Sequence, residues 1–305
     1  MSFSVAQTPD LSGKVALVTG GNAGLGYETV KAIASRGAHT IIAARNPHKA
    51  DDARARLLQQ MPSASIDVLQ LDLASLASVA AAATTFGEKH DRLDILVNNA
   101  GLMALPEGRT VDGFETQFGV NHLGHWALTG RLLPALQRAE RARIVTVTSS
   151  AHHMAFRINF RDPHLRNRYS AWGAYSQSKL ANYYFALGLH RMFQAAGSPV
   201  SSLLAHPGFS QTNLQVETVK QGGGGRMGDW SLSLVNSIGM TADVGVLPQV
   251  RAALDPSAES GDFYAPKWLA SGPPVARGYW RPGSKRIIRQ LWELSERETD
   301  VAIAI

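Results

Sequence analysis

Hydrophobic residues along this chain of 305 residues form short β-branched runs that alternate with longer, helix-compatible segments. Each run is apolar on both faces, as in a parallel strand that helices cover from two sides. The predicted strands are Val15–Thr19, Thr40–Ala44, Ile66–Leu71, Ile95–Asn98, Ile144–Thr148 and Val200–Ala205. The predicted helices are Leu25–Arg36, Pro47–Gln60, Ser75–His90, Phe114–Ala139 and Trp172–Ala195. This alternation predicts an α/β fold, with one doubly wound parallel sheet in a single domain of residues 1–305.

The segment from about 209 to 240 departs from the alternation, because it contains four consecutive glycines that do not hold a packed helix. Core-type residues such as Phe263, Tyr264 and Trp268 continue beyond it. We therefore predict a flexible loop over a site rather than a linker between domains. The chain ends in a predicted helix and a short apolar tail over Ile287–Ile305.

Composition narrows the classes of function. The chain is 45% hydrophobic and 18% charged, and it has no apolar run long enough to span a bilayer, so we expect no membrane insertion. The absence of a signal-peptide pattern predicts a cytoplasmic protein. The absence of cysteine excludes disulfides, thiolate metal sites and cysteine nucleophiles. The net charge of +6 comes without a long basic tract or a basic helix face, so no nucleic-acid partner is expected.

A glycine-rich loop lies between the first predicted strand and the helix that follows it. Glycine permits a tight turn and a close approach to a pyrophosphate, which the helix N-terminus stabilises with its amides and dipole. A strand before the loop and a helix after it make the signal stronger than glycines alone. The predicted cofactor-binding residues of this loop are Gly20, Asn22, Gly24, Leu25 and Gly26.

The end of the second strand bears on the choice between NAD and NADP. An acidic residue about 20 positions beyond the glycines would bind the ribose 2′-hydroxyl of NAD. This chain has Arg45 instead, nineteen residues after Gly26, and no carboxylate beside it. An arginine pairs well with a 2′-phosphate, so we predict NADP(H) in preference to NAD(H).

Two further strand ends carry candidate contacts. Asp72 and Leu73 follow the third strand, where Asp72 can accept a hydrogen bond from an adenine amino group. Asn99, Ala100 and Gly101 end the fourth strand within the tetrapeptide NNAG. NNAG is by itself a turn signal, and its position is compatible both with capping the strand and with lining a cofactor.

Tyr175 and Lys179 place a phenol and an ammonium on one face of a predicted helix. A nearby positive charge should lower the pKa of the tyrosine, which could then exchange a proton with a carbonyl or an alcohol. The pair alone would also fit an ordinary amphipathic helix. Two further residues favour the catalytic interpretation. Ser150 lies at a strand end where it can donate to a substrate oxygen, and Asn121 lies in the preceding helix.

Together, in this order, these motifs resemble the short-chain dehydrogenase/reductase family, over about residues 12–215. The resemblance implies a Rossmann-type fold and a catalytic tetrad of Asn121, Ser150, Tyr175 and Lys179. Lys179 would also bind the nicotinamide ribose, and Asn121 would hold a water in a proton relay. NNAG would stabilise the sheet and line the adenosine side of the cofactor. The residues implied on the carboxamide side of the nicotinamide are Pro207, Gly208 and Thr212.

The gap between Ser150 and Tyr175 is long for this family. It resembles the retinol-dehydrogenase-like and protochlorophyllide-reductase-like branch, in which the second serine of the pair carries the catalytic role. The resemblance therefore favours Ser150 over Ser149. It also implies a homodimer or homotetramer that associates through the helices of Asn121 and Tyr175. The apolar residues of the second helix fit either an interface or the core; they are Leu180, Tyr184, Leu187 and Phe193.

Apolar segments flank the predicted tetrad, among them Leu102, Met103 and Leu105, which favours a hydrophobic small-molecule carbonyl or alcohol as substrate. The adjacent His152 and His153 have no third ligand at metal-binding spacing, so no metal is expected. Two alternatives stay open. One is reduction of a C=C bond on the same scaffold, and the other is a non-catalytic NADP(H) sensor.

Overall fold

The computed structural model describes residues 3–208, 240–268, 270–279 and 283–304. Eight strands form one sheet in the order β3-β2-β1-β4-β5-β6-β7-β8. They are β1 Val15–Thr19, β2 His39–Ala44, β3 Ile66–Gln70, β4 Ile95–Asn98, β5 Arg143–Val147, β6 Ser201–Ala205, β7 Phe263–Pro266 and β8 Pro274–Arg277. Neighbouring strands from β3 to β7 are parallel, which confirms the doubly wound sheet, and β8 adds an antiparallel edge that the pattern did not predict.

Helices cover both faces of this sheet. They are α1 Gly24–Ala34, α2 Pro47–Gln60, α3 Leu76–Lys89, α4 Thr116–Phe118, α5 Gly124–Gln137, α6 Ala171–Ala195, α7 Ala242–Gly245, α8 Leu247–Leu254 and α9 Lys285–Thr299. Alternate residues of one strand enter different cores: Leu17 packs with α3 and α5, whereas Ala16 and Val18 pack with α1, α2 and α8. This alternation explains why the strands are apolar on both sides.

Helix starts follow from local capping. The side chain of Asn46 accepts a hydrogen bond from the backbone N–H of Lys49 and begins α2, and Ser75 caps α3 in the same way through Ser78. These caps satisfy backbone donors that the first turn of a helix leaves without partners. The strand and helix ends otherwise agree with the predicted ones to within two residues, apart from one helix.

That helix was predicted as one element over Phe114–Ala139. In the structure α4 ends at Phe118, and Gly119–Leu123 form a π-helical turn before α5 begins. All five residues of the turn are buried, the polar Asn121 and His122 included, and their spacing gives no sign of the altered hydrogen bonding. Asn121 lies in the middle of this turn, and π-helical turns are frequent at functional sites.

The loop predicted at about 209–240 lies outside the described residues, except for Met240. Strands on both sides of it belong to the same sheet, since β7 pairs with β6 through Leu204 and Phe263. Along the ranges that the structure describes, no helix is long and apolar enough to cross a membrane.

Candidate active site

The candidate site lies at the carboxyl edge of the central strands. The strand order reverses between β1 and β4, where the crossovers leave in opposite directions and open a crevice in doubly wound sheets. The glycine-rich loop follows β1, NNAG ends β4, the two serines follow β5, and Pro207 follows β6. The fold therefore collects motifs from four strands along one edge.

The glycine-rich loop has no room for side chains at its key positions. Gly20 has a φ of +67°, and a Cβ there would lie 3.2 Å from the Cα of Ala100. Gly24 also has a positive φ of 52°. A Cβ on Gly26 would overlap the carbonyl oxygen of Gly20, so the start of α1 is packed directly on the loop. This bare backbone cradle at a helix N-terminus fits the pyrophosphate of a dinucleotide.

NNAG is tied to the end of β1. The hydroxyl oxygen of Thr19 accepts hydrogen bonds from the backbone N–H groups of Asn99 and Ala100, each at 2.9 Å. The side chain of Asn99 donates to the carbonyl oxygen of Thr19 at 2.8 Å and accepts from Gln249 on α8 at 3.1 Å. Gln249 is a buried contact to this turn that the sequence reasoning missed, since nothing local marks it.

Arg45 lies exposed just beyond β2. The backbone N–H of Gly20 donates to the carbonyl oxygen of Ala43 at 2.7 Å, which brings the end of β2 beside the glycine-rich loop. Asp72 lies beyond β3 and uses one carboxylate oxygen to accept from the N–H of Ala74 at 2.9 Å. Leu73 beside it is buried. Arg45 and Asp72 therefore stand at the edge where the adenosine half of a dinucleotide would lie.

Tyr175 and Lys179 are both buried on α6, one turn apart. The Lys179 ammonium lies 5.9 Å from the centroid of the Tyr175 ring. It also donates to the carbonyl oxygen of Val147, the last residue of β5, at 3.3 Å. The helix spacing thus brings the two groups to one place, and β5 fixes the lysine there.

Burial governs the electrostatics of this pair. It raises the pKa of Tyr175, and a hydrogen bond with Ser149 acts in the opposite direction. It also lowers the pKa of Lys179 to about 8. The predicted lowering of the tyrosine pKa is therefore not what the protein's own groups produce, because desolvation of the phenolate outweighs the hydrogen bond with Ser149.

The serine that hydrogen-bonds Tyr175 in the structure is Ser149, whereas the sequence predicts the catalytic role for Ser150; which of the two is catalytic stays a prediction. The Ser149 side chain hydrogen-bonds the Tyr175 side chain and also accepts from the N–H of Ala151 at 3.2 Å. Ser149 has extended backbone, and Ser150 begins a 3₁₀ turn that runs to His153. The two neighbours therefore differ in backbone conformation, and Ser149 is the one whose side chain reaches Tyr175.

Asn121 connects the loop after β4 to α6. Its side-chain oxygen accepts from the N–H of Leu102 at 2.7 Å, and its amide nitrogen donates to the Leu102 carbonyl and to the Ser178 hydroxyl, each at 2.9 Å. A Cβ on Gly101 would lie 3.2 Å from this amide oxygen and 3.3 Å from the Lys179 ammonium. Both N–H groups of the Asn121 amide are thus used in holding the site, and its backbone carbonyl oxygen lies 3.0 Å from Nδ1 of His125.

An apolar wall lies beside Tyr175. Met103, Ala104 and Ala151 form a buried cluster with it, and the Trp172 ring packs edge-on at 6.0 Å. The sequence reasoning assigned Trp172 only to a helix, although its spacing of three residues from Tyr175 could have marked it. His152, in contrast, is buried and stacks on Tyr183, with the ring centroids 4.8 Å apart.

Pro207 and Gly208 follow β6, as predicted for the nicotinamide side. Gly208 has a φ of +72°, and a Cβ there would lie 2.6 Å from the Ala270 carbonyl oxygen and 2.8 Å from the Met240 methyl group. Thr212 lies outside the described residues. Within those residues, no group of three or more His, Asp or Glu side chains is placed to hold a metal ion.

Comparison with known proteins supports the family resemblance that the motifs predict. The sequence pattern of the family described as short chain dehydrogenase matches residues 14–222, more than half of the chain. Short-chain dehydrogenase/reductase drtF of Aspergillus calidoustus is 37% identical, with 95% of each chain covered. Human retinol dehydrogenase 12 and mouse polyprenol dehydrogenase are each 42% identical, over 67% and 68% of this chain and 64% and 62% of their own lengths.

A crystal structure of an uncharacterized protein from Mycobacterium paratuberculosis has 37% identity and a TM-score of 0.81, with both chains covered completely. TIC 32 B, a chloroplastic short-chain dehydrogenase of Brassica napus, is 40% identical over 69% of this chain and 68% of its own. The resemblance predicted from the motifs, including its retinol-dehydrogenase-like branch, is confirmed. The chain belongs to the short-chain dehydrogenase/reductase family of oxidoreductases.

Proposed function

We propose that this protein is an NADP(H)-dependent oxidoreductase that interconverts a carbonyl and an alcohol on a hydrophobic small molecule. The observation that carries the proposal is the Tyr175 side chain, hydrogen-bonded by Ser149 and close to the Lys179 ammonium at the edge that bears the glycine-rich loop. When bound, the nicotinamide supplies or accepts the hydride. Relatives named for retinol and for polyprenol support an alcohol or its carbonyl as substrate.

The protein's own residues would handle the proton. Because burial raises the pKa of Tyr175, the phenol keeps its proton near pH 7 and can donate it to a carbonyl oxygen during reduction. The Ser149 hydroxyl would donate to the same oxygen and stabilise the charge that develops there. Lys179, with a pKa of about 8, is mostly cationic near pH 7 and would stabilise the phenolate as the proton leaves.

Asn121 would contribute through its backbone. Its side-chain amide already has partners on Leu102 and Ser178, so its backbone carbonyl oxygen, which also faces His125, would be the group that holds a relay water. The apolar wall of Met103, Ala151 and Trp172 beside Tyr175 favours a substrate whose body is hydrophobic and whose reacting oxygen is its main polar group.

The test of the catalytic role is a set of three single variants. We expect Tyr175→Phe to lower kcat by about 10³-fold while NADPH binding, followed by fluorescence, changes little. Ser149→Ala should lower kcat by about 10²-fold, and the neighbouring Ser150→Ala is the matched control that should stay close to wild type. Substrates would be found by an NADPH-consumption screen over aldehydes, ketones and quinones.

Two results would count against this assignment. Full activity of Tyr175→Phe would remove the tyrosine from proton transfer. A larger loss in Ser150→Ala than in Ser149→Ala would return the serine role to Ser150.

The cofactor preference is a separate prediction. Arg45→Asp replaces the cation beside the glycine-rich loop by a carboxylate that repels a 2′-phosphate and can bind a ribose 2′-hydroxyl. We expect the ratio of kcat/KM for NADPH to that for NADH to fall at least about tenfold. Arg141→Asp, exposed at the opposite edge of the sheet before β5, is the control. An unchanged ratio in Arg45→Asp would remove Arg45 from the phosphate site.

The same assays distinguish the two alternatives that the sequence leaves open, C=C reduction and a non-catalytic NADP(H) sensor. Turnover of an unsaturated ketone at its C=C bond alone would favour double-bond reduction, and tight NADPH binding without turnover of any carbonyl would favour a sensor. The cytoplasmic location and the homodimer or homotetramer stay predictions.

A further inference from the structure

His125 links the two halves of the site. It is buried on the first turn of α5, four residues after Asn121. Its Nδ1 lies 3.0 Å from the carbonyl oxygen of Asn121, and its Nε2 lies 2.9 Å from the hydroxyl oxygen of Thr19. Thr19 ends β1 and holds the NNAG turn, whereas Asn121 belongs to the catalytic group. One imidazole ring therefore spans from the cofactor-binding edge to the proton-transfer residues.

The hydrogen-bond partners decide which ring nitrogen carries the proton. Burial lowers the pKa of His125 to about 4, and the Lys179 charge acts in the same direction, so the ring is neutral near pH 7. A carbonyl oxygen can only accept, so Nδ1 must be the protonated nitrogen that donates to Asn121. Nε2 is then an acceptor, and the Thr19 hydroxyl donates to it while accepting from the N–H groups of Asn99 and Ala100.

The Thr19 hydroxyl therefore accepts two hydrogen bonds and donates one, so the donor and acceptor in each of its three bonds are fixed. Its other candidate acceptor, the Val97 carbonyl, is farther away at 3.3 Å. If the ring carried its proton on Nε2 instead, Nδ1 and the Asn121 carbonyl would face each other as two acceptors. Each group in this chain of hydrogen bonds donates to the next: the backbone N–H groups to Thr19, Thr19 to His125, and His125 to the Asn121 carbonyl oxygen.

We propose that His125 is a positioning residue that orients the Asn121 carbonyl and couples this orientation to the phosphate-binding edge through Thr19. The inference rests on the function proposed above, in which the Asn121 carbonyl holds the relay water. The Nδ1 side of the ring then serves proton transfer, and the Nε2 side serves cofactor binding. The two hydrogen bonds of the ring can be tested separately, because one substitution can keep the bond of Nδ1 and another can keep the bond of Nε2.

The test uses two substitutions that each keep one side. In His125→Asn the amide nitrogen can take the place of Nδ1 and keep the bond to the Asn121 carbonyl, whereas the contact to Thr19 is lost. We expect the NADPH Kd to rise about tenfold and kcat to stay within about threefold of wild type. In His125→Gln the amide oxygen can take the place of Nε2 and keep the Thr19 contact, so kcat should fall about tenfold with little change in Kd.

His122 provides the matched control. It is equally buried, adjacent to Asn121, and bonded through Nε2 to the Ser295 hydroxyl at 2.8 Å on α9. His122→Asn should lower the Tm to a similar extent but show neither a change in kcat nor a change in NADPH Kd. A merely structural role of His125 would give this same pattern in both of its variants, and that result would overturn the proposal.

A measurement on the wild-type protein covers the case in which the variants do not fold. Nitrogen chemical shifts of the histidine-labelled protein report the tautomer of His125 between pH 6 and about 8. Protonation at Nδ1 is expected, and protonation at Nε2 would overturn the proposal. A wild-type protein that binds NADPH but turns over no carbonyl would refute the proposed function instead, and the Kd comparison would still decide the Thr19 half of the inference.

Discussion

Lys179 shows at the scale of one residue how a buried group with a proposed role in catalysis lowers stability. The ammonium is buried, and within the described part of the chain it has one hydrogen-bond acceptor, the carbonyl oxygen of Val147. Burial lowers its pKa from 10.5 to about 8, so the folded protein holds this proton less tightly than the unfolded chain does. The resulting cost is fully present below pH 8 and disappears as the pH rises from 8 to 10.5.

Lys179→Met should therefore abolish turnover and stabilise the cofactor-free protein. We expect the free energy of unfolding at pH 7 to rise by about 2 kcal/mol, because an apolar side chain replaces a buried charge. The gain should shrink as the pH increases from 8 toward 10.5. Urea unfolding at several pH values measures both effects, with the exposed Lys89→Met as control. A lower stability at pH 7 would contradict the account.

At the scale of elements, α6 is positioned by close contact with α9. Gly188 on α6 has no room for a side chain, since a Cβ would overlap the Trp292 ring and lie 2.9 Å from Ile288. Trp292 in turn packs edge-on against Trp126 of α5 at 4.9 Å. Because Gly188 has no side chain, the Trp292 ring of α9 can pack against both α6 and α5.

Gly188→Ala should destabilise the protein even though alanine is the better helix former. Trp292 must move to admit the methyl group, and overpacking of this kind costs about 1–3 kcal/mol. Gly87→Ala in α3 is the matched control, because a Cβ there meets nothing within 4 Å and should be neutral or stabilising by about 0.5–1 kcal/mol. Equal effects of the two substitutions in urea unfolding would show that the α6–α9 contact is not tight.

At the scale of the whole molecule, residues 301–303 pack on α5, one of the helices through which the family resemblance predicts subunit association. The Trp126 indole donates to the Val301 carbonyl at 2.8 Å, and Val301 and Ile303 pack on Gly130. The apolar residues of α6 that fitted either an interface or the core, such as Leu180 and Phe193, are buried within the single chain. Their burial fits the core, and the association of subunits stays a prediction.

A chain ended after Asp300 should lose this cover. Removing buried Val301 and Ile303 exposes the apolar side of α5 and leaves the Trp126 indole without its acceptor. We expect a loss of about 3 kcal/mol in the free energy of unfolding and a larger mass by light scattering as exposed faces associate. Unchanged stability and mass would mean that the tail contributes little.

The sequence by itself determined the parts of this protein whose physics is local. Alternation of apolar runs determined the sheet, glycines between a strand and a helix determined the tight loop after β1, and a spacing of four residues brought Tyr175 and Lys179 together. Each depends on backbone geometry within a few residues, so a pattern is enough to predict it.

Only the tertiary structure decided the contacts between distant segments. It placed Ser149 rather than Ser150 in a hydrogen bond with Tyr175. It also placed His125 between Thr19 and Asn121 and packed α9 across α5 and α6. Such partners lie from a few to more than a hundred residues apart, and no local pattern encodes the orientation in which a folded chain brings them together.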